Sequence, residues 1–540
     1  MLAGVSAAGP SAAAAGGRAP APARGWVVDR VRFESLTPDA FLRAEGTGEV
    51  RGVLDVVPSG AGVALVNELA LDDYLLGVAE VPASWPAEAQ RAQAIAARTF
   101  ALHELARSAA SPARGPADIC ATQACQRYIG VAKERQDHGD GWAEAVASTR
   151  GQVLLFKGEP ILAQYSSSNG GRSVAGGRPY LRAAHDPDSA RGPYGRWTVR
   201  LGYGPLGSAL GLPGPLVSLR RTGDAVALDW AVPGGPSGQT VIPVPAFRER
   251  LNQVLGPQGD LPSAVPSPQF DVLADDQAAT ATLDGRGHGH GIGMSQFGAL
   301  GKASRGMRAG DILASYYGGL RPVTLPPDRL PSTIRVSLDA GRAVTVGGTG
   351  RLRVLDGTGA PLAVAASGTW RVVAAGRGRV RVVPPLGQEA PPAVATLVAT
   401  GPSAPGAPAE ARFHLASAAV VRVRVDGAEL AAPVETAPAL VEPGPAVVAL
   451  PELPGPGDYA VTVLADAGAG RVTTLAAPLR VPAAPAAPAA VLEADSGRAG
   501  VSSGPAALAT ALLVGVVALL SRSTAAGARV AGGLRRRRPR

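Results

Sequence analysis

The feature that most constrains this chain is one long helical pattern, Ser84–Ala106, set among short alternating apolar runs. Ser84 suits an N-cap, Pro86 and Glu88 suit a first turn, and Ala92, Ile95, Thr99, Leu102 and Ala106 recur at helical spacing. The remaining alanines let a neighbouring element pack close to its axis. Strands are expected at Trp26–Phe33, Gly52–Val57, Gly62–Val66, Gln152–Phe156 and Pro160–Tyr165, with short helices at Asp72–Gly77, Trp142–Ser148, near Pro245–Val254, at Met294–Ser304 and at Ala309–Tyr316. After Pro331 only short β runs remain, and those beyond the Gly401–Pro408 linker suggest a small Ig-like sandwich. With 70 Gly, 49 Pro and 4% aromatic residues, the chain favours strands and loops over further long helices. The expected class is α+β: a mixed domain, then small all-β (Ig-like) modules and a C-terminal transmembrane helix.

The 540 residues divide accordingly into a leader or signal-peptide remnant (1–25), a mixed domain (26–325), a small β domain (331–400), an Ig-like sandwich (409–480), a Pro/Ala-rich linker (481–504), an apolar span (505–521) and a basic tail (522–540). The net charge of +9 belongs mainly to that tail, whose seven arginines leave only +2 on the residues before it. A body so nearly neutral gives no footing for nucleic acid. No charged residue lies between Arg498 and Arg522, and arginines beside a span stay on the cytoplasmic side, so the expected topology puts everything before about residue 500 outside the cell, tethered by the membrane helix.

Four stretches in the first 320 residues carry chemistry. They are Ala70–Phe100 (ALDDYLLGVAEVPASWPAEAQRAQAIAARTF), Asp118–Gly130 (DICATQACQRYIG), Gln164–Ser173 (QYSSSNGGRS) and Gly285–Gly319, which opens GRGHGHGIGMSQFG. Glu80 sits between Val78-Ala79 and Val81-Pro82, apolar surroundings of the kind that raise a carboxyl pKa until it can act as a proton donor near neutral pH. Read without the motif around it, a surface or capping carboxylate is the favoured reading. Tyr165, Ser166, Ser168, Asn169, Gly170 and Gly171 form a strand end and polar turn suited to sugar hydroxyls. The glycine-rich segment after Gly285 would let backbone approach a ligand.

In this order and spacing the four stretches resemble the SpoIID/LytB family of peptidoglycan-active proteins, over roughly residues 28–325. The resemblance implies a domain that acts on glycan strands of peptidoglycan, either as a lytic transglycosylase or as an activator of a cell-wall amidase. It implies Glu80 as the catalytic acid, at the family's glutamate in GVVAxEMP. It also implies substrate-side roles for Gln93, Arg98 and Thr99 on the long helix and for His290, Ser295 and Gln296 in GHGIGMSQ. His288 stands where the family usually has an aromatic residue, which puts one sugar-stacking contact in question. A lytic transglycosylase can close the sugar's own 6-hydroxyl onto the anomeric carbon, so one glutamate suffices where a hydrolase needs two carboxylates.

Cys120 and Cys125 are the only cysteines. Outside the cytoplasm a local disulfide is the simpler expectation, with a zinc site, as some relatives build here, the alternative; no other cofactor is expected.

Overall fold

A computed structural model describes residues 25–111, 115–385, 392–402, 407–468 and 470–483. The expected span at 505–521 and the basic tail lie outside the described residues, as do nearly all of the linker and of the leader. Among the described residues no helix is long and apolar enough to cross a membrane.

The N-terminal strands build two sheets, and they do so with strands from far along the chain. One sheet has the order Trp26–Val28, Arg379–Val383, Trp370–Gly376, Ala343–Gly348, Leu42–Ala44, Gly48–Val50. The other runs Pro361–Ala366, Leu352–Asp356, Val31–Ser35, Val53–Ser59, Gly62–Leu69, Ile334–Gly341, Ile119–Cys120. Phe33, Leu54, Val56, Trp370, Val380 and Val382 fill the space between them, all fully buried. The run expected as one strand at Trp26–Phe33 is therefore two: the polar Asp29-Arg30 pair marks the corner where the chain leaves one sheet for the other.

The boundary expected between residues 325 and 331 is not a boundary of packing. Ile334–Gly341 pairs antiparallel with Gly62–Leu69, and Leu352–Asp356 pairs with Val31–Ser35. Each half presents strands with one apolar face and only the other half covers it, so neither forms a core alone. The Ig-like sandwich also begins earlier than its linker suggests. Val394–Thr400 pairs with Glu410–Leu415, and these join Gly444–Ala449 in a three-stranded sheet over a five-stranded one that includes Ala419–Gly427, Gly457–Asp466 and Val472–Val481.

The helices are α1 (Leu71–Leu76), α2 (Ala87–Ala109), α3 (Gly139–Ser148), α4 (Pro187–Ala190), α5 (Tyr203–Leu210), α6 (Val244–Leu255), α7 (Gln296–Ser304) and α8 (Ala309–Tyr316). Helix α2 is buried on every side, 14 of its 23 residues being inaccessible, so it is a central post and not an amphipathic surface helix. Its Ala94, Ala97 and Ala101 meet the core that fills the two sheets. Ala89, Ala92, Ile95 and Ala96 meet Ala299, Ala303, Ile312 and Leu313 of α7 and α8. Small side chains on both faces are what allow two layers to close on one helix.

Residues 197–285 form an inserted subdomain with its own core. Two three-stranded sheets pack with α5 and α6 around Trp197, Leu206, Phe247, Leu251 and Phe270. The glycine-rich segment then returns the chain to the main body, where Met294–Ser295 pairs parallel with Tyr165–Ser166.

Candidate functional site

Glu80 follows α1 on a short extended stretch that pairs with the segment after the cysteines. Ala79 N–H donates to the Arg127 carbonyl (2.8 Å), Ile129 N–H to the Gly77 carbonyl (2.9 Å), and Arg127 N–H to Glu80 Oε1 (2.6 Å). Gly77 is required here because a Cβ would overlap the Tyr128 ring. Glu80 Oε2 faces the Gln296 amide at 3.5 Å, and the same Nε2 lies 3.4 Å from Gln93 Oε1. The carboxyl is half-buried, and burial pushes it above the usual glutamate range against the opposing pull of Arg127 N–H, the Gln296 amide and the Arg127 charge.

Two tyrosines close the inner side. Tyr74 donates to Gln126 Oε1 (2.7 Å), and Gln126 Nε2 donates to the Ala97 carbonyl of α2 (3.1 Å). The Tyr165 hydroxyl lies beside Gln126, and burial first and the Glu80 charge second raise both phenols well above their ordinary value. Glu80 therefore sits among hydrogen-bonding groups that stay neutral at any working pH. Gln93 Nε2, fully buried, has no hydrogen-bond partner among the described residues.

The cysteines are joined, Cα to Cα 5.5 Å. The bridge closes the turn that feeds Arg127: Cys120 N–H meets Cys125 Sγ and Tyr128 N–H returns to the Ala121 carbonyl (2.9 Å). A zinc site does not fit this arrangement, because both thiolates are consumed and no cluster of three His, Cys, Asp or Glu forms among the described residues.

Other expected site residues serve the cradle. Arg98 is fully buried, its guanidinium donating to the Thr149 carbonyl (2.8 Å) and the Val146 carbonyl (3.1 Å) and pairing with Asp72 (3.3 Å). Thr99 donates to the Ile95 carbonyl and accepts from Leu154 N–H. Ser168, Asn169 and Ser295 are fully buried. Ser189 Oγ links Ser168 Oγ (3.0 Å) to Ser295 Oγ (2.8 Å), and Ser295 caps α7 by accepting Gly298 N–H. Ser166 Oγ accepts Gly291 N–H. Gly170 and Gly171 take positive φ (63° and 104°) to turn the chain beneath the glycine-rich loop.

His290 borders a cavity beside α6. Its Nδ1 accepts Ile292 N–H (3.0 Å), and burial, ahead of the nearby Arg248 charge, holds the ring below the usual histidine value. His288 packs its ring on Tyr194 (4.8 Å), so the position that replaces an aromatic contacts protein, while its backbone pairs both ways with Ser168.

Sequence reasoning missed the hub of this cradle. Asp186, 2% exposed, accepts from Lys302 Nζ (2.6 Å), Tyr316 OH (2.7 Å) and Asn169 Nδ2 (2.9 Å). The signals were present: Asp186-Pro187 is an N-cap followed by proline at the first helical position, and Lys302 lies on the α7 face that also carries Ala299 and Ala303.

A sequence model described as Stage II sporulation protein, SpoIID, matches residues 59–156, the stretch holding Glu80, α2 and the disulfide turn. Stage II sporulation protein D of Bacillus subtilis is 30% identical over 270 residues, covering 47% of this chain and 74% of that protein. An uncharacterized protein of Brachyspira hyodysenteriae is 30% identical over 284 residues, covering 50% and 72%. A protein named amidase enhancer, from Bacillus subtilis, is 28% identical over 289 residues, covering 44% and 38%. With relatives 30% identical to it and covered over 74% and 72% of their length, the chain belongs to the SpoIID/LytB family.

Proposed function

We propose that this protein is a lytic transglycosylase that cleaves peptidoglycan glycan strands with Glu80 as its single acid–base group. The observation that carries this reading is the state of Glu80: half-buried, raised above the usual range, held at one oxygen by Arg127 N–H and reachable at the other beside Gln296. Among the described residues no second carboxylate shares its hydrogen bonds, which suits a mechanism that needs only one.

In that mechanism protonated Glu80 gives its proton to the glycosidic oxygen as the C1–O bond of the muramyl residue breaks, and the other sugar leaves with a free 4-hydroxyl. The Glu80 carboxylate then takes the proton of the muramyl 6-hydroxyl as that oxygen bonds to C1. The products are a 1,6-anhydro end and a regenerated acid, with no water consumed. The neutral Gln and Tyr surroundings allow Glu80 to alternate between its two protonation states without competing for its proton.

A location outside the cytoplasm is supported by the Cys120–Cys125 disulfide, and the apolar run 505–521 would supply the tether. A second reading, a glycan-binding activator of a wall amidase, is favoured by the resemblance to the protein named amidase enhancer. Mass spectrometry of purified strands separates them. Anhydro-muramyl ends from the wild type and none from Glu80→Gln are expected; strands bound but uncut by both proteins would overturn the enzyme reading in favour of the activator.

A further inference from the structure

The inserted subdomain meets the glycine-rich loop at α6. There Arg248, Glu249, Asn252 and Gln253 border a cavity of about 560 Å3 that Pro268 and His290 complete. Arg248 is held by two carbonyls, Nε to Val265 (2.9 Å) and Nη2 to Pro266 (2.8 Å). Neither is a counter-ion, and among the described residues no carboxylate pairs with the guanidinium, whose burial lowers its proton affinity. Burial holds both His288 and His290 below the usual histidine value, and the Arg248 charge adds to it. Asn252 is oriented by Val265, accepting its N–H and donating one amide hydrogen to its carbonyl. Glu249 borders the same cavity, but it is exposed and its Oε1 accepts from Gln253.

A half-buried, rigidly fixed cation without a counter-ion is costly for a protein to keep, and an anionic ligand offsets that cost. Two of the guanidinium's nitrogens are committed to carbonyls, which fixes its plane and leaves Nη1 to donate. Glycan strands are neutral along their sugar hydroxyls and acetamido groups. Their carboxylates sit on the muramyl side arm: the lactyl carboxylate where the stem peptide has been removed, peptide carboxylates where it remains.

We propose that the cavity between α6 and His290 is a subsite for the muramyl side arm, with Arg248 as the group that recognises its carboxylate. This rests on the glycan-strand reading above and adds to it a specificity determinant from the inserted subdomain, outside the segments that carry the family motifs.

The test measures binding of the full chain to four strand preparations: peptide-stripped and peptide-bearing, each with carboxylates free or converted to methylamides. Wild type should bind free-carboxylate strands about tenfold more tightly than their amidated counterparts in at least one pair, and the pair that discriminates identifies the source of the carboxylate. Arg248→Gln should lose the discrimination. Because Arg248 also braces Val265 and Pro266, two surface variants guard against misfolding: Gln253→Glu should weaken binding of the acidic strands several-fold and Glu249→Gln should strengthen it, with amidated strands unaffected. Equal wild-type affinity within both pairs, or discrimination that survives in Arg248→Gln, would overturn the subsite while leaving the glycan-strand function standing. Failure of wild type to bind any strand would instead overturn that function, and the subsite with it.

Discussion

Replacing Lys302 by Met should cost about 3–5 kcal/mol of stability, because it strands a buried carboxylate. The lysine side chain is 10% exposed and Asp186 2%, so solvent does little to screen the 2.6 Å pair. After substitution Asp186 keeps only neutral donors, Tyr316, Asn169 and the Ser189 N–H that it caps. Asp186→Asn should sit at the lower end of the range, about 3 kcal/mol, since Lys302 still has Asp188 at 3.6 Å as a second counter-ion. The double variant removes both charges and should be more stable than the sum of the single losses predicts, by about 2 kcal/mol. Urea unfolding at neutral pH, with the four proteins in one cycle, gives the coupling directly. Single losses below about 1 kcal/mol, or a double variant additive within about 0.5 kcal/mol, would refute the idea that this pair is the electrostatic anchor of the cradle.

Three other perturbations follow from the site. Glu80→Gln should not destabilise: a carboxyl raised by folding contributes stability at low pH and loses it as pH rises through its folded value, so the variant should gain on wild type as pH rises above the ordinary glutamate range of about 4 in urea titrations. A wild type that gains on the variant over that rise would mean Glu80 is depressed instead. Replacing both Cys120 and Cys125 by Ser should cost about 2 kcal/mol by loop closure alone, read from thermal or urea unfolding under oxidising conditions, with a parallel loss of strand cleavage as the Arg127 N–H loses its brace. Gly77→Ala should cost about 1–3 kcal/mol by overpacking against Tyr128, with no backbone contribution because φ there is −87°; a loss under about 0.5 kcal/mol would show that the ring yields.

Local periodicity made the helices legible. The long pattern from Ser84 is α2, shifted by three residues at each end, and Ala309–Tyr316 is α8 as read. The apolar neighbours of Glu80 in the sequence correspond to a carboxyl that burial raises. Domain organisation was not, because the apolar alternation in Ile334–Gly341 says that the strand has a buried face but not that Gly62–Leu69 lies beside it. The polar residues of QYSSSNGGRS were misplaced for a related reason. Ser168 and Asn169 look like ligand-facing groups in one dimension, yet buried partners, Ser189 and Asp186, absorb their hydrogen bonds. Composition of a turn does not reveal whether its donors face solvent or a hidden carboxylate.

The motifs thus describe something narrower than catalysis. Ser168 and His288 exchange backbone hydrogen bonds, Phe297 N–H returns to the Ser167 carbonyl, Val174 N–H reaches Gly291, and Ala309 N–H is accepted by Glu88 of α2. Residues far apart in sequence are constrained because each satisfies the backbone of another, and that constraint holds whether or not a bond is ever cut. A protein could keep the whole cradle, and with it the motif match, while losing the burial that raises one carboxyl. The enzyme and the activator readings therefore predict the same fold and nearly the same motifs, and they part at what Glu80 does to a bound strand. The proposed acid role rests on the burial that raises this carboxyl, the one backbone N–H that holds it and the Gln296 amide 3.5 Å from its other oxygen; strand cleavage by the wild type and none by Glu80→Gln is the result that would separate it from the activator reading.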